Sequence, residues 1–137
     1  CRLGDPETQV ILPRLKTDFA DVMLGLAQGR LDEISVQWSE EACVGVVLAS
    51  EGYPESYSTG HPIHGLDDLD SDMPVFHAGT KLIKSDDGNT SMIVTDGGRV
   101  LTVSALGKTI DEARYEAYKN IECIEFEGMV YRKDIAK

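Results

Sequence analysis

Several features that define other protein classes are missing from this chain of 137 residues. No apolar run approaches the ~20 residues of a membrane span and no signal peptide opens the sequence, so we expect no membrane partner. The cysteine count is odd, with 3 in all, and the spacing gives no Cys-x-x-Cys pair. Free thiols and a reducing, cytoplasmic location are the expectation. The missing initiator Met is typical of a processed or excised fragment.

Positive charge is also scarce. Only 13 Lys and Arg stand against 24 Asp and Glu, for a formal net charge of −11. Nucleic acid is therefore not an expected partner, because its phosphates would be repelled. A phosphate ligand held by a few local cations stays compatible with this balance.

The length and the hydrophobic fraction of 42% are typical of a globular domain that buries about two thirds of its unfolded surface. Pro13 can open a helix that ends at Gly29. Apolar residues at helical spacing predict that its buried stripe consists of Leu15, Phe19, Val22, Met23 and Leu26.

Two strands are predicted next. Residues 34–38 suit a short strand, and residues 42–49 suit a longer one that is covered on both faces, because they are nearly all apolar. Cys43 on that strand is interpreted as a small hydrophobe rather than a nucleophile.

Residues 51–72 are rich in Gly and Pro, which predicts loops with one helical turn. His61 and His64 lie near an acidic cluster, but loop residues of these types are usually only solvated. A calcium loop beginning at Asp68 would need a turn Gly and a closing Glu, and the sequence has neither.

Four further strands are predicted at residues 74–77, 80–85, 91–95 and 99–105. Residues 86–89 and 96–98 carry hairpin signals, so we expect antiparallel pairing of the last three strands. Gly97-Gly98 is interpreted as a hairpin turn, since it lacks the Lys-Ser/Thr of a phosphate loop.

A final helix begins at Thr109, and Glu112 completes a capping box. The positions predicted to form its buried stripe are Ile110, Ala113, Ala117, Ile121 and Ile124. Gly128 leads into a strand at residues 129–132. The predicted fold class is α+β: a β-rich small domain with an antiparallel meander flanked by an N-terminal and a C-terminal helix.

Residues 2–9 carry the densest chemistry. Arg2 offers a planar fork of donors for a carboxylate or a phosphate, and the Asp5 and Glu7 carboxylates can share a cation or an amine. The structural alternative is a helix start, with Asp5 as N-cap, Pro6 at the first helical position and Glu7 favoured by the helix dipole.

Three blocks of sequence, in one order, carry a resemblance to a known family: residues 2–15, residues 49–54 with Tyr57 and Gly60, and residues 97–107. They resemble the phosphoribosylamine–glycine ligases, also called glycinamide ribonucleotide synthetases, of the ATP-grasp superfamily. The chain departs from the family pattern with Leu3 where Phe is usual, and with Glu55-Ser56 where Gly-Asp is expected.

The resemblance implies the C-terminal part of an enzyme that joins glycine to 5-phosphoribosylamine in purine biosynthesis. Residues 1–30 would end the ATP-grasp domain and include a connecting helix. Residues 31–137 would form a small β-rich domain, similar to that of biotin carboxylase, packed beside it. ATP and magnesium would be bound mainly upstream, so the fragment would complete the substrate site rather than catalyse alone.

The same resemblance assigns site residues. Arg2 matches a catalytic position, and no cofactor-binding or metal-binding residue is expected in the chain. The matched substrate-binding positions are Asp5, Pro6, Glu7, Thr8, Gly52, Tyr53 and Pro54. Two alternatives remain: a non-catalytic binding module of the same fold, and a metal-dependent hydrolase using His61 and His64, which lacks a specific motif.

Overall fold

A computed structural model describes residues 3–84 and 91–137. Arg2 and the predicted turn at residues 86–89 lie outside the described residues. The helices are α1 (Thr8–Ile11), α2 (Phe19–Ala27) and α3 (Ile110–Ile121). The strands are β1 (Ala42–Ser50), β2 (Val75–His77), β3 (Thr80–Lys84), β4 (Ser91–Thr95), β5 (Arg99–Gly107) and β6 (Met129–Val130). The α+β class is confirmed.

The larger sheet has the order β2-β5-β1-β6, and every pair in it is antiparallel. Its centre is the pairing of β1 with β5, which runs from Ala42 opposite Gly107 to Ala49 opposite Arg99. Alternate residues of β1 are buried while the others are half-buried, so one face lies fully in the core. The predicted strand at 42–49 is confirmed, with more complete burial on one face than on the other.

The smaller sheet pairs β3 with β4, from Thr80 opposite Thr95 to Lys84 opposite Ser91. The predicted pairing of β4 with β5 is wrong, because β5 joins the other sheet instead. The physical reason is that the connections before β3 and after β4 run side by side in close contact. The Asp96 N–H donates to the Gly79 carbonyl at 2.7 Å, and a Cβ added at Gly79 would lie 2.6 Å from the Cα of Gly97. Two glycines therefore let both connections between the sheets pass in contact, and residues 96–98 turn the chain from one sheet to the other.

Helix α2 differs most from expectation. It begins after Asp18, whose carboxylate accepts the Ala20 N–H at 2.7 Å, and Pro13 lies in an earlier 3-10 turn, Leu12–Arg14. The predicted buried stripe is wrong: Met23 is 46% exposed and Leu26 is 54% exposed. Leu15 and Val22 are only half-buried, and Phe19 is also exposed.

The predicted strand at residues 34–38 is also wrong. These residues follow a 3-10 turn, Leu31–Glu33. They form no strand, and Trp38 makes an isolated β-bridge to Leu15. Residues 51–72 are loops with one 3-10 turn, Leu66–Asp68, as predicted.

Helix α3 packs on β5 and β1 and closes the core. Most of its predicted stripe is buried, whereas Ile110 is 57% exposed, because it occupies the first turn before the helix meets the sheet. Strand β6 is present but shorter than predicted. No helix within the described residues has the length and apolar character needed to cross a bilayer.

The predicted cap of α3 is formed. The Thr109 hydroxyl oxygen accepts the Glu112 N–H at 3.1 Å, and the Glu112 carboxylate accepts the Lys108 N–H at 2.8 Å. We expect Thr109→Ala to lower the free energy of unfolding by about 1 kcal/mol, since the Glu112 N–H loses its acceptor. Urea denaturation measures this, with exposed Thr59→Ala as the control. An equal midpoint in both variants would contradict the cap.

Candidate functional site

The turn before α1 is built by local hydrogen bonds. The buried Gly4 carbonyl accepts both the Thr8 N–H at 2.9 Å and the Thr8 hydroxyl at 2.6 Å. The N-cap position of α1 is Glu7, which makes no side-chain capping bond. The predicted helix start with Asp5 as N-cap is therefore wrong, because the N-cap position lies two residues later, at Glu7, after the turn that Thr8 and Gly4 close.

Asp5 is held by two side chains. The Arg99 guanidinium donates to the Asp5 backbone carbonyl at 2.7 Å and lies 3.1 Å from its carboxylate. The Gln9 amide donates to the other carboxylate oxygen at 2.7 Å. Both oxygens of the Asp5 carboxylate thus have partners within the protein. Asp5 therefore helps to orient the turn through these contacts.

Arg99 was missed by sequence reasoning as a site residue. It lies in the third block that resembles the family, and it is the one Lys or Arg between residues 91 and 107. A single cation in an apolar and glycine-rich stretch was the signal that could have identified it. Its partner, Asp5, is 94 positions earlier, so no local spacing links the two.

The second block places two aromatic rings over a glycine. The Tyr53 and Tyr57 rings lie 6.2 Å apart between centroids and are tilted by 55°. A Cβ at the buried Gly98 would collide with both rings. The Gly52 carbonyl accepts the Glu55 N–H at 2.9 Å, which closes the turn at the position where the chain departs from the family pattern.

The three blocks meet at one open cavity of about 530 Å³. Pro6 comes from the first block, Tyr53 from the second and Arg99 from the third. The remaining lining residues are Val47, Ala49, Val130, Tyr131 and Arg132. The walls are mostly apolar, and the two guanidinium groups among them already pair with carboxylates of this chain. The cavity therefore suits a ligand that presents an apolar surface to it.

Other predicted site residues lie outside this lining. The Thr8 hydroxyl is used within the turn, and Glu7 and Pro54 are exposed. Gly52 shapes the turn beside Tyr53. Arg2 is outside the described residues, so its placement is not part of this geometry.

Arg132 at the cavity has a local partner. Its guanidinium donates to the Asp134 carboxylate at 2.9 and 2.8 Å. This hydrogen bonding lowers the pKa of Asp134 and raises that of Arg132. Both side chains are largely solvated, so the pair adds little stability.

No group of three or more metal-ligating side chains occurs in the described ranges, 3–84 and 91–137. The His61 ring contacts the Ser58 hydroxyl at 2.7 Å and the Glu127 carboxylate at 3.2 Å. His64 instead pairs with Glu125 through its backbone. The two histidines therefore serve separate local contacts.

Cys43 and Cys123 are both free thiols. Burial raises the pKa of the Cys43 thiol, an effect that the nearby Arg14 charge partly offsets. A raised pKa disfavours the thiolate, which is the nucleophilic form. The interpretation of Cys43 as a small hydrophobe agrees with this environment.

Comparison with known proteins gives one family. The family model described as "Phosphoribosylglycinamide synthetase, C domain" matches residues 43–137. The chain is 48% identical over 136 residues to a phosphoribosylamine–glycine ligase of Salmonella typhimurium, covering 98% of this chain and 30% of that protein. It is 48% identical over 139 residues to the bifunctional purine biosynthetic protein purD of Dictyostelium discoideum, covering 100% of this chain and 16% of that protein.

A solved structure agrees with these relatives. The crystal structure of the phosphoribosylamine–glycine ligase of Thermotoga maritima superimposes with a TM-score of 0.78 at 38% identity. The match covers 97% of this chain and 31% of that one. The chain thus spans less than a third of the length of these relatives.

Proposed function

Because the chain belongs to the phosphoribosylglycinamide synthetase C-domain family, we propose that it is the C-terminal part of a phosphoribosylamine–glycine ligase. The complete enzyme would join glycine to 5-phosphoribosylamine in the cytoplasm, cleaving ATP to ADP and phosphate through glycyl phosphate. The observation that carries the proposal is the meeting of Pro6, Tyr53 and Arg99, one from each family-like block, around one cavity.

The proposed roles follow from side-chain chemistry. Arg2 would act as the catalytic guanidinium beside the acyl phosphate or the incoming amine. Among the substrate-binding residues, Glu7 has an exposed carboxylate that suits an amine, and Asp5 would orient the turn that carries it. Thr8 would fix that turn, while Gly52, Tyr53 and Pro54 would border the site.

ATP and magnesium would be bound mainly by residues upstream of this chain. Bound magnesium would neutralise the charge that develops on the transferred phosphoryl group.

The exposed face of α2 supports a domain partner. Large apolar side chains that are at least a third exposed cluster on this helix and the turn after it: Phe19, Met23, Leu24, Leu26 and Leu31. Contiguous exposed apolar patches commonly mark interaction surfaces. We propose that this face packs on the upstream ATP-grasp domain, with residues 1–30 ending that domain and residues 31–137 forming the C-terminal domain.

The test uses the full-length protein. We expect ADP release to require glycine, 5-phosphoribosylamine and magnesium together, with one glycinamide ribonucleotide formed per ADP. Leaving out each substrate in turn is the control. An equal rate of ADP release with and without the two substrates would contradict the proposed ligase activity. Binding of a substrate without any turnover would favour the alternative, a non-catalytic binding module.

A further inference from the structure

The Arg99 guanidinium contacts both the main chain and the side chain of Asp5. One guanidinium nitrogen donates to the Asp5 backbone carbonyl at 2.7 Å, and another lies 3.1 Å from the Asp5 carboxylate. The first contact positions the Asp5 main chain, and the second positions its side chain. A planar guanidinium can satisfy both acceptors at once, which an ammonium group cannot do with the same geometry.

The Arg99 end of this contact is anchored. Arg99 is the first residue of β5, lies opposite Ala49 of β1, and its carbonyl accepts the Gly79 N–H at 2.8 Å. Residues 100–105 that follow are all buried. The guanidinium is therefore attached to the best-packed strand of the domain.

The Asp5 end is tied to the sheet by hydrogen bonds from this anchor. Helix α1 has 4 residues, too few for stability on its own in water. Apart from the Arg99 contact, the hydrogen bonds that residues 3–84 and 91–137 give to the Asp5 side chain and the Gly4 carbonyl come from Gln9 and Thr8, which belong to the same short segment. Among the described residues, Arg99 thus supplies a hydrogen-bonded link between this turn and the sheet, beside the packing of Val10 against Gly45 of β1.

We propose that Arg99 is a positioning residue for the ligase reaction, holding the turn at Asp5 so that neighbouring residues meet the substrates in a productive geometry. The proposal rests on the proposed function and deepens it. Removing the guanidinium would let the turn shift against the sheet, and a displacement of about 1 Å in a positioned group can lower the rate by on the order of a hundredfold.

The experiment compares Arg99→Met and Arg99→Lys in the full-length protein. We expect Arg99→Met to lower kcat by on the order of tenfold or more, with the KM for ATP unchanged. Lys should recover only part of the loss, because it provides a point charge in place of the fork. Lys119→Met is the matched control: it removes another exposed ion pair, with Asp70 at 3.0 Å, and should leave the kinetics unchanged.

A double variant separates positioning from a general loss of stability. The double variant Asp5→Asn with Arg99→Met should have a kcat within about twofold of that of the slower single variant. The reason is that the two substitutions weaken the same contact. Amide exchange at Thr8 and Ile11 should become faster in Arg99→Met and stay unchanged in Lys119→Met. The thermal midpoint should stay near that of the wild type, since an exposed ion pair adds little stability.

The outcomes are distinguishable. An active wild type with an Arg99→Met variant of normal kcat and normal exchange overturns the positioning role and leaves the ligase intact. An inactive wild type overturns the proposed function, and the positioning role in catalysis falls with it. Slower turnover in Arg99→Met with faster exchange at Thr8, and neither change in Lys119→Met, supports the proposal.

Discussion

The 137-residue chain produced alone is expected to form no glycinamide ribonucleotide, while the full-length protein turns over. Phosphoryl transfer needs groups that cradle the phosphates and cations that neutralise the developing charge. The sequence has no glycine-rich loop followed by Lys-Ser/Thr, and its Gly97-Gly98 pair turns the chain between two sheets. In the described residues no group of three or more His, Cys, Asp or Glu side chains is arranged to hold a metal ion.

A coupled assay of ADP release measures this at high protein concentration. Circular dichroism on the same sample checks that the chain is folded, which matters because α2 exposes apolar side chains. The matched comparison is the full-length protein at one hundredth of the concentration. Product formation by the folded chain alone would show that the catalytic groups lie within it.

Local signals predicted the elements that depend on local chemistry. The apolar run at residues 42–49 predicted β1, and the capping residues Thr109 and Glu112 predicted the start of α3, because each signal acts within a few residues. The family resemblance, drawn from blocks of the same kind, is confirmed by the match at residues 43–137.

The strand pairing was predicted wrongly where it depends on contacts between residues that are far apart in sequence. Residues 96–98 have the composition of a hairpin turn, yet the chain there crosses between sheets. What decides this is the contact of Gly97 with Gly79, 18 positions away along the printed sequence. A pair of glycines that lets a neighbouring connection pass in contact has the same composition as a hairpin turn, so the local sequence cannot distinguish the two arrangements.

Helix α2 shows a second limit. Its spacing correctly predicted a helix and an apolar side, but spacing says nothing about what covers that side. Met23 and Leu26 are exposed in this chain, and we propose that another domain buries them. The prediction of an apolar face was right, and its assignment to this domain's own core was wrong.

The candidate site was predictable only in part. Tyr53 and Pro6 were named from family blocks, and the structure brings both to one cavity. Arg99 was overlooked, because its role depends on a hydrogen bond across 94 positions. The assignments of Glu7 and Pro54 stay predictions.

Arg2 carries the largest expected effect of any single substitution in the full-length protein. We propose that its guanidinium faces the acceptor substrate, since a planar fork of donors fits an acyl phosphate or a phosphorylated sugar. Two positions later the chain is fixed, since the Gly4 carbonyl accepts two hydrogen bonds from Thr8. A charged group that loses such a partner in a desolvated site typically costs several kcal/mol.

We therefore expect Arg2→Ala to lower kcat/KM by on the order of a hundredfold or more, with little change in ATP affinity, because the nucleotide would be bound upstream. Steady-state kinetics with titration calorimetry of ATP measures both quantities. Lys119→Ala is the control, since Lys119 is exposed and pairs with Asp70 at 3.0 Å, away from the α2 face. Arg2→Lys should be intermediate, because the charge survives while the fork is lost. If Arg2→Ala matches Lys119→Ala in turnover, the guanidinium makes no contact that strengthens in the transition state, and the catalytic role proposed for Arg2 is wrong.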